Sequence, residues 1–349
     1  MEREILRNKI RRGQVERDIE RYASIRSRHV SHPGNWEAVY QLYEDLYRAG
    51  GGHLWFRPQP FTLKDDKDEK RLNVEALLPG VRSPHVIIIA CHLDCTAERD
   101  TAYIPRRGRA PGADDDASGM AGVLAATRAI VALSQAQQPG EPRAEIRFVF
   151  FNAEEQGQRG SQVYAKQQKQ RAVPISAVYQ MDMIGYRSKR NEVFELHVGF
   201  KRDPATEAAS LKVAQHLTEV CEALELPLTP QIYYQRKRSR DPGQGFSDHT
   251  SFHRHGFPAV MISEDFFPGQ ETFPAPGDPN PDYHTPDDVI GNLDTRYTTN
   301  IAHAVTAAAW HRATRIGCCC RCCGGHAVVE HGGGSGEYED GYGDEHAHG

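Results

Sequence analysis

The stretch Pro111–Gly119, PGADDDASG, sets three consecutive carboxylates in a glycine-rich turn just ahead of the apolar run Met120–Leu133. Three adjacent negative charges are very costly to bury without compensating cations, and a turn lets carboxylates converge where an extended surface run cannot. One of these aspartates is therefore expected to bridge two metal ions. A solvated acidic loop with an aspartate capping the following helix is the plainer account of the same residues. What surrounds the triplet decides between the two.

Upstream, Val86–Ala90 is a continuous apolar run, the mark of a strand buried on both faces. Pro60–Leu63 and Leu72–Leu78 read as strands around the charged turn Lys64–Lys70, and two helical patterns precede them, one through Ile5, Leu6, Ile10, Val15, Ile19 and Tyr22 and one over Trp36–Arg48. These N-terminal helices are expected to cover a sheet. Downstream the pattern alternates: helix Ser118–Ser134, strand Ile146–Asn152, helix Ser161–Gln170, strands Ala177–Met183 and Val193–Phe200, helix Ala205–Leu224. A short helix from Ser247, a strand Ala259–Ser263, a Pro-rich loop Phe267–Pro286 and a last helix Leu293–Arg315 follow. Such alternation predicts an α/β fold with a mainly parallel sheet and helices on both faces. The expected division is 1–50 for helices packing on a catalytic domain, 51–316 for that domain, and 317–349 for a tail.

An open α/β sheet carries its chemistry at the carboxyl ends of its strands. Val86–Ala90 runs into Cys91-His92-Leu93-Asp94, where His92 and Asp94 point to the same side of an extended backbone; imidazole ligates zinc, and a neighbouring carboxylate can hold its tautomer. A hydrogen-bonded strand-end pair is the alternative for this motif alone. Strand Ile146–Asn152 ends in Ala153-Glu154-Glu155-Gln156-Gly157, two glutamates whose side chains diverge, so that one can ligate while the other handles protons; acidic residues at a helix start are also an ordinary charge preference. Asp182 sits in the apolar run Gln180–Met183, where a carboxylate is almost never fully buried unless paired or metal-bound. His284 closes the Pro-rich loop in Tyr283-His284-Thr285-Pro286-Asp287-Asp288. Cys91 and Cys95 flank the first of these groups and read as small buried hydrophobes.

Taken in order, CHLD, PGADDDASG, FNAEEQG, QMDMIGY, SDHTSFHRHGFPAV and YHTPDD make the chain, over about 27–315, resemble the co-catalytic zinc aminopeptidases, the bacterial leucyl aminopeptidase and aminopeptidase Y family of zinc exopeptidases. The resemblance implies a phosphorylase/hydrolase-like zinc exopeptidase fold, a three-layer α/β/α sandwich with a mostly parallel mixed central sheet. It implies two Zn2+ per chain: Asp115 bridging both, His92 and Asp182 completing one site, Glu155 and His284 the other. Asp94 would orient His92, and Glu154 would be the general base and acid. Peptides with a free N-terminus would be the substrates. The same family holds glutaminyl cyclases and carboxypeptidases, which are alternative activities; a non-catalytic receptor-like module is disfavoured because every implied ligand and Glu154 are present. Some members carry a tyrosine just before the SDH segment that helps stabilise the tetrahedral intermediate. Here that place reads Gly243-Gln244-Gly245-Phe246, and Tyr233 or Tyr234 is the expected substitute.

Composition narrows the rest. The chain has 349 residues, 39% of them hydrophobic, enough for one large domain or two small ones, and its net charge of -5 is too slight to suggest nucleic acid as a partner. No apolar run approaches the ~20 residues of a membrane span, and the first 30 residues are charged throughout with no signal-like stretch. A cytoplasmic location is expected, or secretion if a leader has been removed. The basic run Arg236–Arg240 reads as a solvated loop, with selection of acidic side chains as its alternative. Of eight cysteines, five crowd Cys318–Cys323, a spacing that suits a reducing compartment better than a disulfide framework. From Gly317 the chain holds ten glycines, five cysteines and four histidines in 33 residues and cannot build a core. Soft-metal binding or S-acylation of CCCRCC stands beside the plainer reading of that tail as a disordered extension.

Overall fold

The continuous apolar run at Val86 sits at the centre of the molecule because neither face of its strand meets water. A computed structural model describes residues 1–63, 70–188, 192–236, 239–270 and 276–317. The helices are α1 (Glu2–Lys9), α2 (Arg12–Ala23), α3 (Pro33–Gly50), α4 (Ala117–Ala136), α5 (Arg159–Gln170), α6 (Pro204–Ala223), α7 (His249–His253) and α8 (Thr295–Gly317). The strands are β1 (Trp55–Phe56), β2 (Gln59–Thr62), β3 (Lys70–Leu78), β4 (Val86–His92), β5 (Glu145–Phe151), β6 (Ile175–Met181), β7 (Val193–His197), β8 (Thr229–Tyr233) and β9 (Ala259–Ser263). The sheet runs β1-β3-β5-β4-β6-β9-β7-β8, with β2 paired to β3.

Strands β5, β4, β6 and β9 are mutually parallel, whereas β3 and β7 join them antiparallel, so the sheet is mixed with a parallel centre. Alternate residues of β4 divide between two cores. Ile87, Ile89 and Cys91 pack with α4, α8 and the N-terminal helices, while Val86, Ile88 and Ala90 pack with Tyr164 and Ala165 of α5 and Phe252 of α7. Each such aliphatic side chain contributes about 1.5–3 kcal/mol by burial, which is why a polar residue has no place in the run. Helix α4 is long and apolar enough to cross a membrane, yet 83% of the relevant stretch is buried inside the fold.

The expected elements are present with shifted ends, and two short strands were not foreseen. Strand β6 stops at Met181 and β7 at His197, since the residues beyond them turn toward the carboxyl-end loops. Strands β1 and β8 lie at the two sheet edges; the pattern TPQIY of β8 is only partly buried and carries a proline, which conceals it from a search for apolar alternation. The N-terminal helices reach the sheet mostly through α4, with α3 touching β3, and their apolar residues belong to the main core. Residues 1–317 form one compact unit, and Cys318–Cys323 lie outside the described residues.

One buried cation ties the N-terminal region to the catalytic end. Arg28 is 0% exposed and its guanidinium donates to four main-chain carbonyls: Leu93 (2.9 Å), Tyr22 (3.0 Å), Pro111 (2.6 Å) and Gly112 (2.9 Å). It therefore staples the end of β4 to the start of the aspartate turn. That turn needs glycine at 112, where φ is +52° and an added Cβ would stand 2.3 Å from the Asp115 oxygen. Replacing Arg28 by methionine strands four buried carbonyls and is expected to remove about 3 kcal/mol or more of stability in chemical unfolding; a loss under about 1 kcal/mol would show that water takes over those carbonyls.

Candidate metal centre

Sheet register alone brings the first donors together. Ala90 lies beside Gln180 in the parallel pairing of β4 and β6, so His92 and Asp182, each two residues on, emerge level with one another. His92 pairs with Phe151 at the end of β5, which places Glu154 and Glu155 just beyond. Three residues near these ends, Ala153, Met183 and His284, adopt left-handed φ values of 60°, 54° and 55°. Each such conformation costs about 1–3 kcal/mol and clusters where function demands it.

The three aspartates of the turn separate completely. Asp116 caps α4 through the Gly119 amide (2.9 Å) and accepts the His92 amide (3.1 Å) and the Met183 amide (3.3 Å). Asp114 accepts the Gly185 amide (2.9 Å) and the Asn280 side-chain amide (2.8 Å), while Asp288 accepts the amides of Asp114 (2.9 Å) and Asp115 (3.2 Å). Asp115 alone turns its carboxylate to the two histidines: Oδ1 is 2.9 Å from His92 Nε2 and Oδ2 is 3.0 Å from His284 Nε2. His92 Nε2 also lies 3.5 Å from Asp182 Oδ1, and His284 Nε2 3.0 Å from Glu155 Oε2.

Two triads result, His92–Asp115–Asp182 and Asp115–Glu155–His284, each with donor atoms within 4.8 Å of one another. Imidazole nitrogen with carboxylate oxygen is a donor set that suits zinc. Glu155 Oε1 is buried without a hydrogen-bond partner, which leaves it free to ligate. Asp182 is steadied by the Ser247 hydroxyl, which donates to its Oδ2 at 2.5 Å.

Electrostatics agree with a site built for cations. Burial raises Glu154 far above the usual carboxylate range, with Asp248, Asp182 and Glu155 adding to the rise. Burial and Asp115 push Glu155 up to about 7. Burial alone would lower His92, but the facing Asp182 and Asp116 carboxylates overcome it and hold the imidazole well above its ordinary value. His284 likewise rises, to about 11, against its burial because Glu155 and Asp115 face it. Carboxylates packed this closely favour added positive charge, which a divalent cation would supply.

Asp94 departs from the expectation. Its carboxylate accepts the amides of Glu154 (3.0 Å) and Glu155 (3.2 Å), whereas the His92 Nδ1 contact at 3.1 Å is to the Asp94 main-chain oxygen. The carboxylate thus fixes the glutamate loop and stands 3.8 Å from the ring. Tyr233 is not a pocket residue either: it is buried on β8 with its hydroxyl on Glu195 (3.0 Å). Arg236 lies over the Tyr234 ring, and residues 237–238 of the basic run are outside the described residues. Cys91 and Cys95 are buried free thiols, and Cys95 donates to the Ala110 carbonyl.

The tyrosine that does face the donors is Tyr283, stacked on His284 at 3.7 Å, its hydroxyl driven upward in pKa by burial and by Asp115, Glu155 and Glu154. Its adjacency to His284 was the available signal. The two triads open into a cavity of about 100 Å3 that Met183, Phe246, Met261, Phe266, Phe267, Tyr283 and Glu154 also line.

Several known proteins share this arrangement of chain. A probable leucine aminopeptidase of Trichophyton verrucosum is 29% identical over 292 residues, 83% of this chain and 68% of that one. The LapA aminopeptidase of Legionella pneumophila superposes with a TM-score of 0.67 at 20% identity, covering 90% of this chain and 74% of its own. A glutaminyl cyclase of Porphyromonas gingivalis gives a TM-score of 0.64 at 16% identity, covering 86% and 98%. These two structures establish the fold. The model of Peptidase family M28 matches residues 73–309, which include every residue of the two triads and most of the sheet, and the chain belongs to that family.

Proposed function

We propose that this peptidase is a di-zinc aminopeptidase that releases apolar residues from the N-termini of peptides. The observation that carries the reading is Asp115, whose two oxygens each serve a different histidine and so a different triad. His92, Asp115 and Asp182 would hold one zinc; Asp115, Glu155 and His284 would hold the other, with Asp94 positioning the loop of Glu154 and Glu155. Two zincs so held supply Lewis acidity toward the scissile carbonyl and an acidified water.

The protein's own groups then have definite tasks. Glu154 lines the cavity, 9% exposed, and is the carboxylate there that belongs to neither triad, so it takes the proton of the attacking water and returns it to the leaving amine. Tyr283, which lines the same cavity and stacks on His284, would donate its hydroxyl to the carbonyl oxygen as that oxygen gains charge. An acidic, metal-bearing pocket would offer ligands to the free α-amine. The cavity is smaller than the roughly 300–1,000 Å3 of a typical ligand site, room for one side chain, and its phenylalanine and methionine walls favour an apolar one. The name leucine aminopeptidase, carried by curated relatives, is in keeping with this.

A second reading, glutaminyl cyclisation, has the cyclase fold likeness in its favour. A peptide beginning with glutamine separates the two: cyclisation releases ammonia with the chain intact, and aminopeptidase action releases glutamine. Leucine p-nitroanilide should be cleaved, and its N-acetyl derivative should not be. Equal turnover of the two would replace the aminopeptidase reading by an endopeptidase or amidase.

Metal analysis should return two zinc ions per chain, and chelation should abolish activity that zinc or cobalt restores. A fully active chain free of transition metal would end the proposal. The adjacent glutamates give a sharper contrast. Glu154→Gln should keep both zincs while kcat falls by about 10² to 10⁴, and Glu155→Gln should lower zinc occupancy, since an amide is a poor ligand in place of a carboxylate. The reverse pattern would exchange their roles.

A further inference from the structure

A second buried charged group lies one strand away from the pocket. Strand β7 pairs with β9 in the register Glu195↔Ser263 and His197↔Met261, and both Ser263 and Met261 line the cavity. Cross-strand partners share a sheet face, so Glu195 and His197 stand directly beside the pocket floor. Glu195 and His197 are 0% exposed and Asp241 is 3% exposed.

The imidazole of His197 joins the two acids, with Nδ1 2.6 Å from Asp241 Oδ1 and Nε2 2.9 Å from Glu195 Oε2. Between two ionised carboxylates the ring donates from both nitrogens as an imidazolium, since a neutral ring has a single N–H. Its pKa is pushed up to about 9, because Asp241 and Glu195 outweigh the burial that would lower it.

The remaining oxygens of the acids hold loops. Glu195 accepts the Phe267 amide at 3.0 and 3.3 Å and the Tyr233 hydroxyl at 3.0 Å. Asp241 accepts the amides of Gly199 (2.7 Å) and Gly243 (2.9 Å). The Phe267 ring meets His197 edge-on at 5.0 Å and Phe246 at 5.7 Å. Gly243 lies so close to the imidazole that a Cβ there would be 2.5 Å from Nδ1. The loop bearing Phe246 and the loop bearing Phe267 are thus both anchored to one buried cation.

We propose that Glu195, His197 and Asp241 are positioning residues that set the preference for a large apolar N-terminal side chain, by holding Phe246 and Phe267 in place as pocket walls. This rests on the aminopeptidase reading and deepens it. None of the three touches the two metal triads, so they act on selectivity through the walls. A wall already ordered before substrate arrives costs no further side-chain entropy on binding, and the benefit grows with the apolar surface the substrate presents.

His197→Gln alone would leave two buried carboxylates without their cation and is expected to fold poorly. The double variant His197→Gln/Asp241→Asn removes one charge of each sign and keeps hydrogen-bonding amides, and Glu195→Gln is a milder companion. With zinc content and the melting transition measured alongside, either folded variant should lose about tenfold in kcat/KM on leucine p-nitroanilide, chiefly through KM, with the double variant losing more than Glu195→Gln, and under about threefold on alanine p-nitroanilide. Calorimetric affinities for leucine hydroxamate and alanine hydroxamate should diverge less than in the parent. Equal losses on both substrates, or an unchanged leucine-to-alanine ratio, would overturn the inference. A parent that cleaves neither anilide yet loses its leucine hydroxamate preference on substitution would refute the aminopeptidase reading while leaving the role of His197 intact.

Discussion

Everything at the catalytic end depends on how one turn distributes three identical side chains. In Asp114–Asp116 the outer carboxylates are saturated by amides: Asp116 by Gly119, His92 and Met183, Asp114 by Gly185 and the Asn280 side chain. Those bonds join the N-terminus of α4 to the ends of β4 and β6 and to the loop before α8. They also disqualify the outer pair as ligands, because an oxygen already holding amide protons is a poor donor to a metal. Only Asp115, its own amide pinned by Asp288, has both oxygens on the histidines. Asp116 caps the helix, as the plainer account of this turn expects, and Asp115 is the member left available to a metal.

That division was partly legible in the sequence. Strand-end donors were readable because a continuous apolar run followed by His92, or an acid embedded in one at Asp182, leaves few physical alternatives, and the register of parallel strands converts chain position into spatial position. The task of Asp94 was not readable, since His-x-Asp spacing places two side chains on one side without saying which amides a carboxylate will meet. Tyr233 was equally opaque: its hydroxyl is captured by Glu195, a residue 38 positions away whose own placement depends on the pairing of β7 with β9. The pocket walls Phe246 and Phe267 belong to loops without periodicity, so no local pattern could assign them.

The electrostatic cost of the centre explains why so much structure surrounds it. Glu154, Glu155, Asp94 and Asp182 lie within a few residues of β-strand ends and Asp115, Asp116 and Asp248 at or beside helix N-termini, all at or near full burial. Amides from the turn, the Ser247 hydroxyl and the two histidines offset part of that cost. Arg28 contributes indirectly, through carbonyls of Leu93, Pro111 and Gly112, and so rigidifies the scaffold without placing a competing positive charge on the ligands. An arginine in direct contact with Asp115 would compete with any metal for its carboxylate.

Chemistry and selectivity consequently occupy different parts of one sheet. The donors come from the ends of β4, β5 and β6, from the aspartate turn before α4 and from the loop at His284, whereas Phe246 and Phe267 are anchored through β7 and Asp241. Strand β9, which pairs with β7, reaches the cavity through Met261 and Ser263. A change in the β7 loops can therefore reshape the pocket without moving a ligand, because the metal turn shares no hydrogen bond with Glu195, His197 or Asp241 among the described contacts. The buried imidazolium suits this arrangement better than an apolar filler would: it fixes two loops directionally through its acids, where a hydrophobic plug of equal volume would fill the space and leave the loop backbones without partners.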